Sequence, residues 1–142
     1  MRSVKHLLAL KSSVIFSVDE NTSVLEALQL MMKENISALL VIENRVLKGI
    51  FTERDYARKI ILQGRSSKDT AISEVMTADV LSVGPNDGID RCMQMMTNQH
   101  FRHLPVMEDD AVVGMISIGD LIRFIIEEQK RTIEQLENYI NS

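Results

Sequence analysis

The sequence predicts an α+β fold in which one β-α-β-β-α unit is used twice and an extended C-terminal helix follows. Three observations predict it: the chain matches itself, strand and helix periods alternate in the same order in both copies, and a glycine-to-aspartate motif closes each copy. Setting residue 17 on residue 82 aligns positions 17–55 with 82–120 without a gap. Ten aligned positions are identical, among them Leu39/Leu104, Val41/Val106, Gly49/Gly114 and Asp55/Asp120, and most other pairs keep apolar opposite apolar. Such a repeat marks a supersecondary unit that covers its bare sheet face with its twin.

Each element follows from local chemistry. Val14-Ile15-Phe16-Ser17-Val18 is a short β-favouring run. Ser23-Val24-Leu25-Glu26 has the spacing of a capping box, and Val24, Leu28, Met31 and Met32 then fall on one face of an amphipathic helix. The unbroken apolar run Ala38 to Ile42 reads as a strand buried on both faces. Glu43-Asn44-Arg45 turns the chain into a second strand, Val46 to Phe51, and a helix runs from near Glu53 to Gln63, before Gly64. The second copy repeats the order, with Ile89, Met93 and Met96 on its first helix and Leu121, Ile122, Ile125 and Ile126 on its last. Residues 64–69 form the linker, and Ile72 to Met76 is one helical turn entering the second copy. The expected divisions are 1–66 for the first repeat with its N-terminal segment, 67–126 for the second, and 127–142 for a helical extension.

Composition narrows the function classes. With 45% hydrophobic and 25% charged residues the chain is ordinary for a globular protein, and with 4% aromatics its core must rest on Ile, Leu, Val and nine Met. A net charge of −4 argues against a nucleic-acid partner, which would require a basic face. The single Cys92 fits a reducing compartment and rules out an internal disulfide framework. The apolar run at Leu7 to Leu10 stops at Lys11, too short for a signal peptide, and nothing approaches the ~20 apolar residues of a membrane span. A cytoplasmic location is expected, with no membrane partner. His100 and His103 lack the carboxylate or cysteine company of a metal site. No nucleophile triad, phosphate loop or paired catalytic carboxylates occur, so neither a catalytic residue, a metal nor a catalytic cofactor is expected.

The two motifs are Gly49-Ile50-Phe51-Thr52-Glu53-Arg54-Asp55 and Gly114-Met115-Ile116-Ser117-Ile118-Gly119-Asp120. Thr with a carboxylate three residues on is a helix N-cap on its simplest reading. Its second reading is a ligand grip. A helix start offers N–H groups and positive dipole to an anion, a hydroxyl can donate to a phosphate, and a carboxylate can accept both hydroxyls of a ribose. The preceding glycine lets backbone approach closely.

Together with Ile72-Ser73-Glu74-Val75-Met76-Thr77 and His103-Leu104-Pro105-Val106, these motifs resemble the cystathionine β-synthase (CBS) domain family, in which domains occur as tandem pairs. The resemblance spans about residues 10 to 126 and implies two repeats about a pseudo-twofold axis, whose clefts bind AMP, ADP, ATP, NAD(H) or S-adenosylmethionine. It implies one site with Thr52, Arg54 and Asp55, completed by Arg102 and His103, and with Ile50 and Val80 near the adenine. The other takes Ser117 and Asp120, completed by Ile36, Ser37 and Ala38, with Ile15 and Met115 near the base. Because Arg102 and His103 align with Ser37 and Ala38, and Arg54 with Gly119, the cations are expected to gather at the first site and leave the second neutral.

Ile122, Ile125, Ile126, Ile133, Leu136 and Ile140 stripe the C-terminal helix, which is expected either to pair with a second copy as a homodimer or to fold back on its own repeat. The expected function is a non-catalytic adenine-nucleotide sensor that regulates an unidentified partner protein. The alternative is a structural dimerisation module with empty clefts, and a nucleotide hydrolase is a third reading.

Overall fold

The computed structural model describes residues 2–11 and 14–141. In chain order its elements are α1 (Val4–Ala9), β1 (Ser17–Val18), α2 (Val24–Glu34), β2 (Ala38–Glu43), β3 (Val46–Thr52), α3 (Glu53–Asp55), α4 (Ile89–Gln99), β4 (His103–Glu108), β5 (Ala111–Ser117) and α5 (Ile118–Asn141). They divide into two compact units. One comprises Val14–Leu81 with Glu108–Val112, and the other Met1–Ser13, Ser82–Met107 and Val113–Ser142.

In the first-copy unit β1 runs parallel to β2, with Ser17 opposite Leu40, and β2 pairs antiparallel with β3. The parallel pair requires a crossover, which α2 supplies. Ser23 caps α2 by accepting the Glu26 amide at 3.1 Å, and Asn35 ends it in the left-handed conformation. In the second-copy unit α4 ends the same way at His100, φ 60°, so this histidine is a helix cap. Both hairpins turn on two successive left-handed residues, Asn44-Arg45 and Asp109-Asp110, the geometry that matches strand twist.

The second copy's equivalent of β1 shrinks to a parallel bridge between Val83 and Val106. The cause is Pro105. It stands where Leu40 donates its amide to the Phe16 carbonyl at 3.4 Å, and proline has no amide to donate. The first strand is also shorter than its apolar run suggests, two residues in place of five. The helix after the first motif does not continue as α. After α3 it winds as a π-helix over Tyr56–Ile61, with the Leu62 amide reaching the Ala57 carbonyl at 3.0 Å. Residues Ile72–Glu74 form a 3₁₀ turn.

Each unit has its own core, drawn from matching positions. Val24, Ala27, Met31, Leu39, Val41 and Phe51 are buried in one, and Ile89, Cys92, Met96, Leu104, Val106 and Ile116 in the other. The lead-in segments are exchanged. Val4 and Leu7 of α1 belong to the second-copy core, whereas Ile72 and Val75 belong to the first-copy core. Backbone bonds fix both: the Val4 amide donates to Asp87 at 2.9 Å and the Ile72 amide to Thr22 at 2.8 Å. Sequence order places residues 2–11 ahead of the first copy; in space they belong with the second.

The motif glycines receive these lead-ins. A Cβ on Gly49 would lie 2.8 Å from the Thr77 carbonyl oxygen and 2.7 Å from Met76 Sδ, while one on Gly114 would meet only the Leu8 side chain, at 2.8 Å. Thr77 cannot retreat, because its backbone is bonded to Ile50 in both directions; Leu8 can change rotamer. Gly49→Ala is therefore expected to lower unfolding free energy by about 1–3 kcal/mol in urea titrations, and Gly114→Ala by less. Equal losses would show that the fixed carbonyl is not the constraint.

Candidate functional site

The first motif is built where β3 passes into α3. Thr52 is extended (φ −124°, ψ 167°), and its hydroxyl accepts the Asp55 amide at 3.2 Å. Asp55 folds back in return. Its Oδ2 accepts the Thr52 amide at 3.0 Å and the Thr52 hydroxyl at 3.2 Å. Its Oδ1 accepts the Thr77 hydroxyl at 3.1 Å and lies 3.2 Å from the Lys59 ammonium, which also donates to the Val75 carbonyl at 2.9 Å. Only 8% of Asp55 is exposed. The Ser37 carbonyl takes the Glu53 amide at 3.2 Å, tying the edge of β2 to the start of the helix.

The second motif repeats this plan with different counter-charges. Asp120 Oδ2 accepts the Ser117 amide at 2.9 Å, and the Ser117 hydroxyl accepts the Asp120 amide at 3.1 Å. The Arg102 carbonyl takes the Ile118 amide at 2.9 Å, as Ser37 does in the first copy. The same Oδ2 also accepts from the Lys11 ammonium at 2.7 Å, which is tied to the Met115 carbonyl at 2.6 Å. Arg123 donates to Oδ1 at 2.7 Å. Burial favours the neutral form of Asp120, but hydrogen bonds from Lys11 and Ser117 outweigh it and hold the carboxyl below its ordinary value.

In the first-copy unit Ile36, Ser37, Ala38, Ile50, Thr52 and Asp55 converge on the β2–β3 edge and the start of α3. Ile50 and Ala38 are buried, Ile36, Ile15 and Val80 are half-buried, and Arg54 and Ser37 are exposed. In the second-copy unit Arg102, His103, Met115, Ser117 and Asp120 stand together at the start of α5, with His103 feeling the charges of Asp120, Arg102 and Lys11. The expectation of a neutral second motif is therefore corrected: Asp120 carries two cations. Aligning the copies compares like positions, and Lys11 lies outside the repeat, in the exchanged lead-in. Thr77 and Lys59 were likewise missed. Thr77 ends a segment singled out for resemblance alone, and Lys59 lies one turn after Asp55, the spacing of a helical ion pair.

Cys92 is buried on α4, and burial chiefly, with Asp87 nearby, pushes its thiol up to about 11, so it stays protonated. Among the described residues no group of three His, Cys, Asp or Glu is placed to hold a metal ion, and no helix is long and apolar enough to cross a membrane.

The CBS domain model matches residues 4–62 and 72–127. A CBS domain-containing protein of Arabidopsis thaliana, CBSX3, described as mitochondrial, is 42% identical over 123 residues; the match covers 83% of this chain and 60% of that protein. The chain thus spans about three-fifths of that relative's length. The structure of a candidate signal-transduction protein with CBS domains from Burkholderia ambifaria superposes with a TM-score of 0.86 at 45% identity, covering 89% of this chain and 96% of that one. The CBS domain pair of protein MJ0100, in complex with 5′-methylthioadenosine and S-adenosyl-L-methionine, gives 0.80 at 27% identity, covering 90% and 98%.

The setting of His103 has a consequence for stability. Burial, foremost, lowers its pKa below 6.5; Asp120 pulls the other way, and Arg102 and Lys11 add to the lowering. The unfolded chain therefore takes up this proton more readily than the folded one. The contribution is fully present above the unfolded value of about 6.5 and is lost as pH falls through that value towards the folded one. Thermal unfolding midpoints are expected to fall between about pH 7.5 and pH 5.5, and His103→Gln should make the decline shallower. An unchanged slope in the variant would assign the decline to other groups.

Proposed function

The chain belongs to the CBS domain family, and we propose that it is a non-catalytic regulatory module that binds an adenine nucleotide and alters its conformation or partner binding when occupied. One observation carries this reading: both copies end a glycine-bearing strand in a Ser/Thr-x-x-Asp turn whose carboxylate lies beside the free end of a helix. A hydroxyl, a helix start and a carboxylate at that spacing match the phosphate and ribose of a nucleotide. The adenosine ligands of the MJ0100 pair support an adenosine-type ligand here. Among AMP, ADP, ATP and NAD(H), the reading requires only the shared adenosine and an anionic tail. A regulated partner protein completes the reading, and a cytoplasmic setting fits the free Cys92.

Isothermal titration of wild type and Asp55→Ala with AMP, ATP and NADH tests this. Binding to wild type that weakens in the variant by at least about tenfold, ~1.4 kcal/mol, is the expected result. An absence of heat and of thermal shift with every ligand would leave a scaffold with empty clefts, and release of a hydrolysis product would make the chain an enzyme.

We also propose that α5 makes the protein a homodimer. Its 24 residues, ~36 Å at 1.5 Å each, bury Leu121 and Phe124 inward near the start. Ile122, Ile126, Ile133, Leu136 and Ile140 remain exposed. With Gln129 they are spaced alternately by four and three residues, the period of a coiled-coil seam. An antiparallel second copy would set Arg123 of one chain toward Glu137 of the other; a parallel one would set Lys130 beside Ile125. Ile133→Glu is expected to convert a dimer to a monomer in sedimentation equilibrium, and a monomeric wild type would refute the seam.

A further inference from the structure

The two motif carboxylates are alike in backbone setting and unlike in what the exchanged lead-in brings to them. Over Asp55 the lead-in places a neutral group, the Thr77 hydroxyl. Over Asp120 it places an ammonium, Lys11, bonded to the carboxylate at 2.7 Å and to the Met115 carbonyl at 2.6 Å. The carbonyls they share are counterparts, since the Thr77 amide donates to Ile50, which aligns with Met115; Lys11 reaches the second by its side chain from two residues further along its lead-in.

We propose that Lys11 is a specificity residue of the second motif, a built-in cation that Asp120 must release before it can accept a ribose, and that it selects adenine nucleotides bearing a phosphate over uncharged nucleosides. The inference rests on the nucleotide-binding reading of that motif and goes beyond it by naming what chooses the ligand. The physics is an exchange. The Asp120 side chain is 13% exposed and that of Lys11 30%, so parting them strands charges largely shielded from water. A neutral nucleoside offers Asp120 two hydroxyls and gives the displaced ammonium nothing. A nucleotide offers the same hydroxyls and, in its phosphate, a new partner for the ammonium. Arg123 also pairs with Asp120, but its side chain is 72% exposed and water replaces its contribution readily. Lys59 is placed differently again: it reaches Asp55 from the same helix at 3.2 Å, on the oxygen shared with Thr77.

The test uses the full chain carrying Asp55→Asn, so that the second motif alone is read. Adenosine and AMP are titrated calorimetrically into this background and into it with Lys11→Met or Lys11→Arg added, folding being checked by circular dichroism. The background is expected to prefer AMP by at least about tenfold. Lys11→Met should tighten adenosine and weaken AMP, narrowing the preference to about threefold or less, and Lys11→Arg should keep it. Should Lys11→Met not fold, the arginine variant and the background decide by the size of the preference alone: a ratio near one overturns the proposal. Measurable binding of both ligands with the same ratio in all three proteins overturns the role of Lys11 and leaves nucleotide binding standing. No binding of either ligand to the background or to wild type overturns the nucleotide reading, and the proposal with it.

Discussion

Everything distinctive in this protein depends on one local device, a carboxylate three residues into a helix that turns back to bond the amide at the end of the preceding strand. It stops the strand, starts the helix and fixes the angle between them, so that the bond from Asp55 to Thr52 also settles where β3 ends and where the helix leaves the sheet. The same bond from Asp120 to Ser117 launches α5. A cap would be complete with that much. Both aspartates instead keep a second oxygen for further groups, Thr77 of the lead-in and Lys59 one turn on in one case and Arg123 one turn on in the other. Acceptor capacity beyond the cap bond, held near a helix start, is what the proposed nucleotide reading draws on, because an exposed cap asks nothing more of its carboxylate.

The exchanged lead-ins turn that device into part of a larger construction. Each copy is closed by a strap from outside its own β-α-β-β-α run: α1 for the second copy and residues 71–77 for the first. Glycine at positions 49 and 114 is what admits the straps. The strap then supplies the group that faces the aspartate, so the chemistry at each motif is set by residues that the repeat itself does not contain. Duplicated copies with matched cores can acquire different ligand preferences in this way without any change in the buried positions they share.

That arrangement also explains what was legible in the sequence. The repeat register, the two hairpins, the caps at Ser23 and Thr52, and the core positions were open to reading, because each is a local pattern of apolar spacing or turn chemistry. The collapse of the second copy's first strand turns on the missing amide of Pro105, legible once the strand partner is known but not before. The π winding of Tyr56–Ile61 leaves no trace in an apolar period. Lys11 was hidden for a different reason. Looking for charge differences between aligned copies finds Arg54 and Arg102, and passes over a lysine that reaches Asp120 across 109 residues of sequence.

A motif whose carboxylate already holds an internal cation gives a sensor a property that an empty grip lacks. Binding at an empty grip adds contacts. Binding at Asp120, on the proposed nucleotide reading, would substitute one set for another, and the ammonium released would belong to the strap that closes the unit, through Lys11 and the Leu8 side chain seated against Gly114. A ligand shifts a conformational equilibrium only by its differential affinity for the two states. On that reading, substitution at Asp120 would create such a difference, since the strap would be held by the carboxylate in one state and by the ligand's phosphate in the other. At the first motif the strap itself brings a hydroxyl, and the cation, Lys59, comes from the motif's own helix and donates to the strap's Val75 carbonyl. On the proposed nucleotide reading, the second motif would be the one that couples occupancy to the strap, and α5, which starts at that motif and carries the exposed apolar seam, would stand next in line.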